Sequence, residues 1–171
     1  MENLIIYSFG IIAGLLICYV VLKKINKNGK VRTDYDERQK VVRGKAYTWG
    51  FYGIVIANAI LMLLSSVDGV IKMLGFSAFF IPIFVGIVVQ ISYSIFKDGY
   101  VGQNTNMTKY IIFMTLVSII NIGFGIYEIV DNTMMVDGVL QNGFLNLLCG
   151  ALFIIMAIEL IIKKVIDKRG E

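Results

Sequence analysis

Apolar residues fall into five blocks along the chain: 4–22, 46–64, 76–96, 110–130 and 144–162. A helix needs about 20 predominantly apolar residues to cross a bilayer, and each block is long enough. The pattern predicts an all-α fold, an integral membrane bundle of five transmembrane helices in one domain spanning 1–171. Polar links of 65–75, 97–109 and 131–143 separate the later blocks. Links that short predict antiparallel neighbours. Pro82, the sole proline, lies near one end of the third block, where a kink is tolerated if neighbours satisfy the freed carbonyl.

Composition supports lipid as the solvent. Hydrophobic residues make up 57% of the chain and charged residues 16%, whereas soluble domains have about 45–50% and about 25%. The placement of charge then orients the chain. Of 16 basic residues, 15 fall in 23–45, 97–109 and the tail after 162, and Lys72 alone falls elsewhere. Basic loops stay in the cytoplasm, so the N-terminus is expected outside and the C-terminus in the cytoplasm. Without the third block the basic tail would sit on the wrong side. The start, Met1-Glu2-Asn3, lacks a basic region, and Lys23-Lys24 closes the first block in place of a cleavage site. It reads as a retained anchor.

The longest polar segment is the basic loop 23–45, with nine basic and three acidic residues. Its second half predicts a helix start. Asp36 is placed to cap, with Gln39 three residues on as its capping-box partner, and the helix continues into the second block. The ordered mix of Asp36, Glu37, Arg38, Gln39, Arg43 and Lys45 marks a candidate surface for a protein partner or for lipid head groups. The bland alternative is a topology signal with a solvated helix start. The Asp-Glu-Arg-Gln run followed by Arg43-Gly44-Lys45-Ala46, together with Lys97-Asp98-Gly99-Tyr100, resembles a family of small multi-pass membrane proteins of Gram-positive bacteria. That family has no assigned activity. The resemblance therefore implies a bacterial plasma membrane and carries over no active site.

Small residues recur every three or four positions in the first two blocks: Gly10, Gly14 and Cys18, then Ala46, Gly50, Gly53 and Ala57. Such stripes let helix backbones approach closely, within the bundle or between two copies. The fourth block has a polar face, Thr115, Ser118, Asn121, Gly125 and Glu128. It reads either as a solute path or as hydrogen-bonding glue between helices. Asn58, Gln90 and Asn146 are further polar residues at depth. Glu159 has Lys163 one turn on, which predicts a local ion pair. Tyr47, Trp49, Tyr52, Tyr93 and Tyr100 read as an interfacial aromatic belt. Val67-Asp68-Gly69-Val70 and Val136-Asp137-Gly138-Val139 suggest a duplicated hairpin or simply shared turn chemistry.

No nucleophile, base or metal constellation stands out, and histidine is absent. No cofactor and no nucleic-acid partner are expected. Three roles remain. The preferred one is a non-enzymatic accessory or regulatory protein that binds another membrane protein through its cytoplasmic loop, or associates with itself. The second is a small transporter or substrate-binding subunit using the polar face of the fourth span. A membrane enzyme comes last.

Overall fold

The computed structural model describes the backbone of residues 2–170; the side chains of residues 2–11, 13 and 170 lie outside the description. The chain is mostly helical. Its elements are α1 (Glu2–Ile25), α2 (Glu37–Leu64), α3 (Val70–Leu74), a 3-10 turn (Gly75–Phe79), α4 (Ile81–Phe96), α5 (Met107–Val130), β1 (Met135–Val136), β2 (Val139–Leu140) and α6 (Asn142–Gly170). Three helices, Glu37–Leu64, Met107–Val130 and Asn142–Arg169, are long and apolar enough to cross a membrane. The bent pair Val70–Phe79 and Ile81–Phe96 adds a fourth if it counts as one span.

The third block does not form one straight helix. A 52° bend separates the 3-10 segment from α4. Pro82 sits in the first turn of α4, just past the bend, where a missing N–H costs nothing. The two Val-Asp-Gly-Val stretches also differ. In the first, Gly69 takes φ 83 and opens α3. In the second, Asp137 (φ 50) and Gly138 (φ 75) form a two-residue turn between antiparallel strands, the geometry that matches strand twist. Identical tetrapeptides therefore make different turns.

Helices α2, α4, α6 and α5 pack in that order: α2 on α4, α4 on α6, and α6 on α5. Glycines set the closest crossings. A Cβ on Gly50 would lie 2.9 Å from the Gly86 carbonyl oxygen, and one on Gly53 would lie 3.3 Å from Gly86 Cα. These two glycines thus serve contact between α2 and α4 within the chain. The buried core, Ile91, Ile95, Met114, Leu152, Met156, Ala157 and Leu160, fills the space between α4, α5 and α6.

The outer faces stay apolar. Ile119, Phe124 and Tyr127 on α5, and Phe51 and Ile56 on α2, are each at least half exposed. A continuous apolar surface of this kind fits lipid. The described middle of α1 is exposed, while its end at Ile25 is buried. Ile12 and Gly14 through Val20 are exposed, and nothing lies within 4 Å of a Cβ placed on Gly14. The expected packing of span one through Gly14 is therefore not made inside the chain. Gly10 lies outside the described side chains.

Candidate functional site

One end of the bundle carries the segments 26–45 and 97–106, and they form a single folded cap. Two buried asparagines hold it. Asn104 donates to the Arg32 carbonyl at 2.9 Å and accepts from the Asp34 N–H at 2.9 Å. Its own carbonyl accepts from the Lys27 N–H at 2.6 Å. Asn26 donates to the Lys30 carbonyl at 2.8 Å and accepts from the Thr105 hydroxyl at 3.1 Å. The segment 27–34 has no regular partner strand, so amide side chains supply hydrogen bonds to its backbone. Close approach helps: Asp34 and Thr33 pack directly on Gly102.

The helix ends meet this cap. Asp36 accepts from the Gln39 N–H at 2.7 Å, and the Gln39 side chain accepts from the Asp36 N–H at 3.2 Å, so the capping box forms. Gln39 does more: its amide donates to the carbonyls of Asp98 (3.0 Å) and Val101 (2.9 Å). Asp98 ends α4 in the left-handed conformation, φ 63, which Asp tolerates. The Gly99 N–H then closes back to the Ser94 carbonyl at 2.8 Å. The Asp98 carboxylate takes Lys163 at 2.7 Å and Arg38 at 3.6 Å. The cap thus joins α2, α4 and α6 through one residue.

Of the six sequence-predicted loop residues, Gln39 and Arg43 are half-buried, and Asp36, though exposed, is held by its capping box. Asp36 and Gln39 bond within the cap. Arg43 lies over the Tyr35 ring, 4.2 Å from its centroid. Glu37 and Arg38 remain exposed, as does Lys45; Glu37 pairs only with Lys40, at 2.6 Å. The sequence-level reading missed Asn26, Asn104, Tyr35 and Tyr110. A signal existed, because asparagines at 26, 28, 104 and 106 punctuate both polar links. Asn106, for instance, caps α5 by accepting from the Lys109 N–H at 3.1 Å.

Two expectations are corrected. Lys163 does not pair with Glu159; it bridges Asp98 and Asp167, each at 2.7 Å. Those bonds, to Asp167 first and Asp98 second, hold its ammonium above the usual range. Glu159 instead accepts from Ser92 on α4 at 2.6 Å, since its side chain points along the bundle toward α4. Tyr100 is also more than an interfacial ring. Its hydroxyl meets that of Tyr110 at 2.6 Å. Burial pushes its phenol well above the ordinary range, with the Tyr110 phenol adding to the rise.

The polar face of α5 meets α6. Ser118 donates to the Gly150 carbonyl at 2.8 Å, and Glu128 accepts from the Gly143 N–H at 2.7 Å, capping the start of α6. Thr115 and Asn121 bond back to their own helix, to Ile111 at 2.9 Å and Val117 at 2.8 Å. Gly125 is filled by Leu147. Among the described residues no group of three metal-binding side chains converges. In comparison with known proteins, the chain matches no family model, no curated protein and no solved structure.

Proposed function

We propose that this chain is a non-enzymatic accessory or regulatory protein of a bacterial plasma membrane that docks another membrane protein on its cytoplasmic cap. In this reading it crosses the bilayer five times, with α1 as the first span and the N-terminus outside. The supporting geometry is the gathering of all three basic segments at one end, tied by Asp98 to Arg38 and Lys163. The observation that carries the docking role is the folded cap itself. A linker with only a topological task has no need of two buried asparagines, and the folded cap presents Glu37, Arg38, Lys40 and Lys45 over the first two to three turns of α2. The transporter alternative has less behind it, because Ser118 and Glu128 on α5 are committed to the α6 backbone.

Two experiments test the proposal. In a background lacking Cys18 and Cys149, Lys72→Cys should react with an impermeant maleimide in intact cells, and Lys30→Cys should react only after lysis. The reverse labelling would overturn the orientation. A photo-crosslinking residue at Arg38 or Lys45 should give one discrete adduct with a membrane protein at native expression. That adduct should vanish on charge reversal at Glu37 and Lys40. No adduct at either position would sink the docking role.

A further inference from the structure

A cleft of about 210 Å³ opens beside the cap, between the ends of α1, α2 and α5, and Arg43, Tyr35, Tyr100 and Tyr110 line its polar side. Its apolar wall is Leu22 and Ile25 of α1. Arg43 is the feature that needs explaining. It is half-buried, and no carboxylate among the described residues pairs with it. Its one side-chain hydrogen bond is to the Tyr47 hydroxyl at 3.3 Å. Stacking on Tyr35 fixes the guanidinium plane while leaving most of its five N–H donors free. The paired hydroxyls of Tyr100 and Tyr110 hold two hydrogens between them and use one in their mutual bond, which leaves one O–H to donate. The cleft therefore presents a fixed cation and neutral donors, and its unmet need is an anion with several acceptor oxygens.

Two facts make that anion part of a lipid. Leu22 and Ile25 form an apolar wall directly beside Arg43, unsuited to a fully hydrated ion. Beyond them Gly14 to Val20 of α1 are exposed and apolar apart from a few small or polar side chains, so the helix surface that leads away from the cleft is open to a hydrocarbon tail. Basic pockets between spanning helices on the cytoplasmic side bind anionic head groups. We propose that this cleft binds one anionic glycerophospholipid, its phosphate on Arg43 and its acyl chain between α1 and α5. This site rests on the membrane-spanning reading above, whose failure would show first as a chain that does not reconstitute into vesicles.

The test uses the full-length protein, delipidated in detergent and examined by native mass spectrometry with phosphatidylglycerol, phosphatidylcholine or inorganic phosphate. Wild type should retain one phosphatidylglycerol per chain, with about tenfold or greater preference over phosphatidylcholine, the size of a charge-assisted hydrogen-bond pair. Arg43→Gln should remove that preference, whereas Lys97→Gln, at the same end but outside the cleft, should keep it. If Arg43→Gln does not fold, Arg43→Lys retains the charge without the planar fork and should weaken binding several-fold. Equal retention of both lipids, or an unchanged preference in the Arg43 variants, would overturn the proposal. So would phosphate that occupies the cleft alone as readily as it displaces the lipid.

Discussion

Lys163, near the end of α6, reaches Asp98 in the α4–α5 link at 2.7 Å and by that contact fixes the tail helix to the cap. Asp98 is about half exposed, and the Lys163 side chain is 16% exposed, so the pair belongs between surface and buried ion pairs. Exposed pairs contribute about 0.2–1 kcal/mol. Lys163→Met should lower stability by about 1 kcal/mol or less, read as a fall in the thermal midpoint in detergent. The pH dependence has a definite sign. The folded chain holds Lys163 above its usual value, so the contribution is complete below about pH 10.4, the unfolded lysine value, and is lost as pH rises through the folded value. On the alkaline side the midpoints of variant and wild type should converge as pH rises through the folded lysine value; convergence already near neutral pH would show that the pair contributes nothing.

Asn104 carries the cap. Replacing it with Ala removes the partner of the Arg32 carbonyl and the Asp34 N–H, at about 1 kcal/mol for each hydrogen bond lost. The local effect should exceed the global one. Tryptic cleavage after Lys30 and Arg32 should accelerate at least tenfold, while the spanning helices stay resistant. Unchanged cleavage would mean that the segment 27–34 is held by something else.

Glu128 separates the two roles considered for the α5 polar face. As the acceptor for the Gly143 N–H at 2.7 Å, it acts as a cap, and a cap of this kind contributes about 1 kcal/mol. Glu128→Gln keeps an acceptor and should leave thermal stability nearly unchanged. Glu128→Leu should lower it by about 1 kcal/mol. A transport phenotype lost in the stable Gln variant would instead revive the solute-path role.

Gly86 is the point where α2 and α4 come closest. A Cβ there would lie 2.8 Å from the Gly50 carbonyl oxygen and would run into Ile54. Gly86→Ala should destabilise by about 1–3 kcal/mol through overpacking. Gly123→Ala meets nothing within 4 Å and should stabilise by about 0.5–1 kcal/mol from helix propensity. Thermal melting of the two variants side by side checks the crossing, and equal shifts would place it elsewhere.

Legibility followed range. The Asp36–Gln39 capping box was readable because both partners lie in one helical turn. The Glu159–Lys163 pair was expected by the same local logic and did not form, since Asp98 and Asp167 offered Lys163 better carboxylates. Arg43 stood in the sequence as one basic residue among nine in its loop. Its place over Tyr35, beside a tyrosine pair drawn from the α4–α5 link and α5, depends on a distant part of the chain.

The sequence by itself determined the helical class and the long apolar helices, because hydropathy and cap chemistry act over a few turns. It also put Pro82 near one end of the third block, where a kink is tolerated, without saying that the block would break there. The tertiary structure alone decided which basic residues face inward, that Asn26 and Asn104 build a cap, and that Arg43 ends beside an apolar wall. Those outcomes turn on hydrogen bonds and packing between segments some seventy residues apart, and no local period records which partner a buried amide or an unpaired guanidinium will meet.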